Sequence, residues 1–439
     1  MIVNLSPLNT SISDLVHALV RQNRAGRAAG FYSVCSANPW VIEAAMRHAA
    51  PGEGILAIES TSNQVNQFGG YTGQTPVQFA EFVRSIAART GFPDGRLLLG
   101  GDHLGPYPWR KEPAAAALEK AAEMVRQYVR AGYAKIHLDA SMRCAGDPEG
   151  ALDERAIAER SAVLARAAEE ARGAAAPAPV YVVGTEVPVP GGEQAAGAAP
   201  SVTRVEDAAR TLDGARAAFH AQGLEAAWER VIGLVVQPGV EFGDAVIFGY
   251  DRATAHALSA SLPRDPELVY EAHSTDYQTP RALREMVEDH FAILKVGPWL
   301  TFAFREAVFA LAAVEEDWLG GRAGIQLSRI RETLEQVMLA HPEHWQPYYR
   351  GSEPDLRVAR KYSYSDRSRY YWPDARVQER LQVLLANLRT SPPPVTLLSQ
   401  YLPVEYEAVR AGALASDPAA LIEHRIRAVL ACYSAATQG

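Results

Sequence analysis

Eight short runs of β-branched and apolar residues recur along this chain, each followed by a longer stretch rich in Ala, Glu and Arg. The runs fall near 29–35, 55–59, 97–101, 135–139, 180–186, 231–237, 268–272 and 293–297. Helices are predicted between and after them, near 39–49, 76–90, 114–131, 153–173, 205–228, 252–262, 279–290 and 299–317. Ala114 to Gly132 shows the pattern: Leu118, Ala121, Ala122 and Val125 share one stripe, and Gly132 ends it. Strands that alternate with helices call for a parallel sheet covered by helices. Eight units in series fit an α/β fold of the (β/α)8 TIM-barrel type. A doubly wound open sheet is the other architecture the pattern allows. The expected organisation is a barrel over 1–320 and a mainly helical C-terminal extension over 321–439 that packs on it.

At 439 residues the chain is long for one domain, yet barrels commonly run past ~250 residues as one unit. Hydrophobic residues make up 48% and charged residues 21%, which is the composition of a folded core and not of a disordered chain. The net charge of −8 and the lack of a basic stripe argue against nucleic acid as a partner. No run of 18 apolar residues occurs, so no membrane span is expected. Met1 to Pro7 lacks the basic-then-apolar pattern of a signal peptide, so the cytoplasm is the expected compartment. Cys35, Cys144 and Cys432 are far apart and form no CxxC, which disfavours a disulfide framework or a cysteine zinc site.

In a barrel, residues at the C-terminal ends of the strands face the active-site mouth. Here polar residues collect at nearly every such end. They include Glu59, Asn63 and Gln64 after the second strand, Asp102-His103 after the third and His137 and Asp139 on the fourth. Glu186, Gln237 with Glu241, His273 with Asp276, and Lys295 follow on the last four. Singly, each has a plain structural explanation; an Asp-His pair often makes a turn, and His137 is expected to pack in the barrel core. Together they are harder to dismiss, because buried unpaired carboxylates are costly. His103, Glu186 and His273 offer two imidazoles and a carboxylate, a suitable set for a divalent metal, with Zn²⁺ first and Mn²⁺, Co²⁺ or Mg²⁺ also compatible. Asp102, Asp139 and Asp276 remain for proton transfer and hydroxyl binding. The loop Gln64–Gly73, with Asn66 and Gln67, is dense in amides and glycine, as expected for binding sugar hydroxyls. Tyr362–Trp372 pairs Arg367 and Arg369 with aromatics and hydroxyls, fit for a phosphate or for a subunit interface in a homo-oligomer.

The segments ESTSNQVNQFGGYTG (59–73), GGDHLGP (100–106), KIHLDAS (135–141), GTEVPVPGGE (184–193), VVQPGVEF (235–242), YEAHSTDYQT (270–279), FAILKVGP (291–298) and YSYSDRSRYYWP (362–373) resemble one family across the whole chain. It is the family named for the non-catalytic subunit of class II D-tagatose-1,6-bisphosphate aldolase. The resemblance implies a barrel related to metal-dependent class II aldolases and a small phosphorylated ketose as ligand. It implies either of two roles: a D-tagatose 6-phosphate/D-fructose 6-phosphate 4-epimerase, or a stabilising subunit that partners a catalytic aldolase. Asp102-His103 resembles the aldolase acid/base and metal-ligand pair, Glu186 the carboxylate near the metal, and His273 the later metal histidine. The remaining metal histidine, expected near the sixth strand, is absent; Gln237 or Glu241 stands in its place, which argues against bisphosphate cleavage. Under the epimerase reading Asp102, Glu186 and Asp276 act at the reacting carbons, and Lys295, Arg367 and Arg369 are the residues for the phosphate. A kinase has no support, since no GxxxxGK[ST] loop is present.

Overall fold

The computed structural model of the protein describes residues 11–150, 152–173, 178–184, 200–262 and 266–438. Eight parallel strands close into a barrel: β1 (Phe31–Val34), β2 (Leu56–Thr61), β3 (Leu97–Leu104), β4 (Lys135–Leu138), β5 (Val180–Val183), β6 (Val231–Val236), β7 (Val269–Ala272) and β8 (Phe291–Val296). Each strand pairs with its sequence neighbours, and β8 closes on β1 with Ser33 opposite Lys295. The open-sheet alternative is therefore excluded. β3 runs three residues past its expected end, and β5 stops at Val183, so Glu186 lies outside the described residues. The helix expected over 205–228 is broken into Val205–Ala221 and Glu225–Trp228, where Gly223 takes a left-handed conformation (φ +66°).

The alternation of side chains along a strand sorts the barrel interior into levels. At the bottom, Phe31, Ala57, Leu98, Val180, Val269 and Ile293 meet Val16 and Val20. The last two come from a helix, Ile12–Arg24, that the strand-helix alternation does not foretell; it begins with a reciprocal capping box between Ser11 and Asp14. One level up the interior is charged: Ser33, Glu59, Lys135, Glu271 and Lys295 are all buried. Residues of opposite parity, among them Ile58, Leu99, Ile136, Tyr181, Leu234 and Leu294, face outward into the helix layer.

The C-terminal extension is built into this ring. After β8 the helix Pro298–Leu319 leads to the last helix, Pro418–Thr437, which packs against it and against Pro39–Ala49 and Pro280–Glu288. It is tied at both levels: the Gly30 N–H donates to Thr437 O (3.1 Å), and the Tyr433 hydroxyl donates to Thr275 O (2.8 Å). Between these helices, the segment 363–371 returns to the barrel mouth. The Tyr277 hydroxyl donates to Tyr364 O (2.7 Å), the Ser363 hydroxyl to Asp244 (2.8 Å), and the Thr301 hydroxyl to Asp366. The segment thus completes the mouth of its own barrel.

Gly100 sits between Glu59 and Lys135 in the register. A Cβ at this position would stand 2.6 Å from Glu59 Cγ. We expect Gly100→Ala to lower the unfolding free energy by about 1–3 kcal/mol through overpacking, measured as a shift in the urea midpoint at unchanged slope.

Candidate active site

The site begins with a local break in strand geometry. Adjacent strand residues point to opposite faces, yet Asp102 and His103 both line the mouth. The register between β3 and β4 shifts between Gly101 and Leu104, and His103 adopts φ +50°. Ser274 repeats the device after His273, with φ +53°. Backbone held in this sparsely populated region costs of order 1 kcal/mol per residue and concentrates at functional sites.

Beneath the mouth lies the buried charge network. Lys135 Nζ is 2.9 Å from Glu59 and 2.7 Å from Glu271. Lys295 Nζ contacts Glu59, lies 2.9 Å from Asp102 and reaches 4.0 Å from Glu271. Ser33 Oγ donates to Glu59 at 2.7 Å. Burial alone would raise the Glu271 carboxyl, but Lys135 and Lys295 outweigh it and hold the group well below the usual carboxylate range. Asp102 is likewise held well below that range: burial opposes this, and His103 and Lys295 prevail. The two ammoniums are in turn held above their ordinary value, Lys135 by Glu271 and Glu59 and Lys295 chiefly by Asp102, against the effect of burial.

Three imidazoles meet above this network. His103 lies 5.1 Å from His137 and 4.9 Å from His273 between ring centroids, and His137 and His273 are 5.4 Å apart. His103 Nδ1 is 3.0 Å from Asp139 and its Nε2 is 3.7 Å from Asp102. Burial would depress this imidazole, but the two carboxylates keep it above its ordinary value. His273 Nε2 is 2.9 Å from Glu271. Burial dominates there and depresses His273 to about 4, so the ring is neutral near pH 7. His137 Nδ1 is 2.9 Å from Asp102, while its Nε2 is buried with no hydrogen-bond partner. The His103 backbone N–H also lies 3.2 Å from Nδ1, so both neighbours meet the ring at that atom, and Nε2 is the nitrogen left for a further ligand such as a metal ion.

Asp102, His137, Glu271 and His273 each present a ligand atom, all within 4.8 Å of one another. Two imidazoles and two carboxylates suit a divalent cation, and the orphaned His137 nitrogen fits the same purpose. This grouping differs from the sequence-based set. His137, fully buried as expected of a core residue, and Glu271 belong to it, whereas His103, which lines the mouth, is held by Asp139 to one side. The missed signal is parity: Lys135, His137 and Asp139 alternate with Ile136 and Leu138, as Glu271 and His273 flank Ala272.

The cavity over the cluster is lined by Asn63, Gln64, Tyr71, Asp276, Arg369 and Tyr370, among others. Asp276 is buried and accepts N–H bonds from Gly297 (3.0 Å) and Trp299 (2.8 Å); burial outweighs these and raises it to about 6. Other expected contacts are engaged elsewhere. Asn66 braces its own loop through Ser62 and Phe68, and Gln67 donates to Lys120 O. Gln237 accepts from Gly239 and Val240 in a turn. Arg367 lies over the Tyr348 ring, 3.1 Å from its centroid. Lys295, expected to meet phosphate, is committed to carboxylates. Glu59 is its deep partner, out of reach of a ligand, and Glu241 is not in the metal-competent group.

His137→Gln should lower the bound Zn²⁺ or Mn²⁺ to well under half of the wild-type stoichiometry, measured by elemental analysis after dialysis; unchanged metal content would remove His137 from the ligand set. Asp276 gives a second test. Its folded pKa lies above the unfolded value near 3.9, so its contribution to stability is full below about pH 4 and is lost as pH rises through about 6. Relative to wild type, Asp276→Asn should therefore gain up to about 3 kcal/mol between pH 4 and 7, read from denaturation midpoints.

A family model described as D-tagatose-1,6-bisphosphate aldolase subunit GatZ/KbaZ-like matches residues 16–438. Among solved structures, that of a probable tagatose 6 phosphate kinase from Sinorhizobium meliloti 1021 is 46% identical. The match covers 93% of this chain and 100% of that one, at a TM-score of 0.85. The fructose-bisphosphate aldolase of Campylobacter jejuni is 12% identical over 87% of this chain and 93% of its own, at a TM-score of 0.44. The YdjI aldolase of Escherichia coli K12 is 8% identical over 85% and 98%, at 0.43. The extent of the family match and the identity to the Sinorhizobium protein place the chain in the D-tagatose-1,6-bisphosphate aldolase subunit GatZ/KbaZ-like family.

Proposed function

We propose that the protein is a metal-dependent 4-epimerase that interconverts D-tagatose 6-phosphate and D-fructose 6-phosphate. The observation that carries this reading is the four-residue cluster with its unpartnered His137 nitrogen, two members of which, Asp102 and His273, line a cavity that also holds Asp276.

The carbonyl of a 2-ketose is at C2, so C4 bears no acidic proton and its inversion needs the C3–C4 bond to break and re-form. A base takes the C4 hydroxyl proton, and the C4–O pair becomes an aldehyde carbonyl. The C3–C4 electrons move between C3 and C2, and the C2 oxygen takes up the charge. The aldehyde turns its other face, and the same steps run in reverse. Asp276 suits the base, since a carboxylate raised to about 6 is ionised at neutral pH yet basic enough to carry a proton. Asp102, held well below the usual range, serves as a fixed negative charge and not as a proton carrier. His103, oriented by Asp139, offers an N–H to an oxygen that gains charge. Asn63 and Gln64 line the same cavity and supply amides for hydroxyls. A divalent ion held by Asp102, His137, Glu271 and His273 would supply Lewis-acid stabilisation to the oxygens on C2 and C3. Glu186, proposed from the sequence as a ligand or base, stays part of this reading.

One observation favours a second reading, in which the chain stabilises a catalytic aldolase subunit and does no chemistry. Lys135 and Lys295 pair with Glu59, Glu271 and Asp102, and His103 stands 3.7 Å from Asp102, so much of the buried charge is met without a metal. The test is NMR product analysis of D-fructose 6-phosphate incubated with the purified chain alone, with Zn²⁺ or Mn²⁺ and after EDTA. Appearance of D-tagatose 6-phosphate, abolished by EDTA, is the expected result. No conversion with any metal would favour the stabilising subunit.

A further inference from the structure

Beside the mouth lies a second cavity of about 250 Å³ that adjoins the first, with Cys35, Gln64, Tyr71 and Arg369 common to both linings. The two compartments differ in charge. Asp102 and Asp276 face the first, with Lys295 and the shared Arg369, whereas no Asp or Glu is found among the described residues of the second. Arg369 is the one charged residue in its described lining, which otherwise offers hydroxyls and amides such as Thr72, Thr301, Gln74 and Gln378.

Two features of this lining lack the partner their chemistry calls for. Among the described residues Arg369 bonds neutral oxygens: the carbonyls of Ser365 and Asp366 (3.0 Å to the latter) and the Tyr370 hydroxyl (2.9 Å). The nearby Asp366 carboxylate is taken by Thr301 and Ser368. Trp372, which lines the same cavity at 2% exposure, has an indole Nε1 with no hydrogen-bond partner. A guanidinium without a carboxylate, next to an orphaned N–H donor in a hydroxyl-lined space, is suited to bind an anion.

We propose that this side cavity seats the phosphate of the substrate. The C6 phosphoryl group of a ketose 6-phosphate would rest on Arg369 and the Trp372 N–H, and C1–C4 would lie in the adjoining mouth beside Asp102 and Asp276. The assignment rests on the ketose-phosphate reading above and gives the substrate one direction. A phosphate placed in the mouth would meet Asp102 and Asp276, so the charge pattern rejects the reversed pose. A ketose with a C6 carboxylate shares the anionic end but offers fewer acceptor oxygens, so the cavity should prefer phosphate.

Calorimetric titration tests this by reading affinity and not rate. D-Fructose 6-phosphate, D-fructose and D-fructuronate are titrated into the full chain with Mn²⁺ present, with inorganic phosphate as competitor. Wild type should bind the phosphorylated ketose at least tenfold more tightly than the other two, and inorganic phosphate should compete. Loss of a charge-assisted contact in Arg369→Met should weaken that binding roughly tenfold or more, and Trp372→Phe should weaken it by roughly threefold. Should Arg369→Met not fold, Trp372→Phe decides, because it keeps the ring and removes only the donor. Wild-type affinity retained in both variants would place the phosphate elsewhere while the ketose-phosphate reading survived. Fructose 6-phosphate binding no more tightly than fructose, or less tightly than fructuronate, would overturn both.

Discussion

Two lysines and three carboxylates buried at the centre of a barrel set the terms for everything above and below them. Taking each ion out of water costs several kcal/mol, which is recovered only where partners are close and remaining valences are filled. Lys135, Lys295, Glu59, Glu271 and Asp102 meet the first of these conditions through short ion pairs across β2, β3, β4, β7 and β8, although Lys135 Nζ and Glu271 Oε2 make no well-aligned hydrogen bond. Gly100 is part of the same solution, because only a residue without a Cβ lets Glu59 lie along β3 toward Lys135. Two ammoniums against three carboxylates leave one negative charge in excess. That excess lies toward the mouth, where Asp102 faces His103 and His137. An imidazolium or a metal cation is what can meet it.

The network also fixes the imidazoles. Glu271 is held ionised by the lysines and stands 2.9 Å from His273; Asp102 is held ionised and stands 2.9 Å from His137. Each ring is thus oriented from below by a carboxylate whose own charge is secured by a lysine. Lys295 illustrates why a residue's chemistry cannot be assigned from type alone. As a cation at a strand end it qualifies for phosphate, but its ammonium is surrounded by Glu59, Asp102 and Glu271. The proposed anion contact falls instead to Arg369, whose hydrogen bonds among the described residues go to neutral oxygens.

The barrel was legible because it rests on local pattern: eight apolar runs with helical stretches between them can close in few ways. The mouth was legible for the same reason, since position at a strand's C-terminal end is nearly a sequence property. What escaped depends on contacts between distant parts. His137 looked like packing because nothing in its own strand reveals that Asp102 and His273 arrive beside it. Glu271 was visible in sequence, but its value came only with Lys135. The helix Ile12–Arg24 carried a readable capping box at Ser11 and Asp14, yet it stands outside the strand-helix alternation. The place of Pro418–Thr437 between Pro39–Ala49 and Pro280–Glu288 joins segments nearly 400 residues apart in the chain, and no local period encodes that.

The same long-range closure bears on the choice between enzyme and scaffold. A barrel that served only to support a partner would gain stability by replacing the buried ions with apolar side chains of similar volume, an exchange that is often neutral or favourable by 1–4 kcal/mol. This chain keeps the ions, holds His103 and Ser274 in strained backbone, and brings residues 363–371 back over the mouth to place Arg369 and Tyr370 in its wall. Each of these features costs stability or chain order, and each acts on the same small volume. The lysines explain how the carboxylates stay charged, but they do not explain the unpartnered His137 nitrogen or the unpartnered Trp372 N–H. His137 belongs to a group of ligand atoms suited to a cation, and Trp372 lines the adjoining cavity, whose one charged residue among those described is Arg369. A ketose phosphate bound together with a metal ion presents both characters at once, which is why the enzyme is the reading that leaves fewer of these atoms without a purpose.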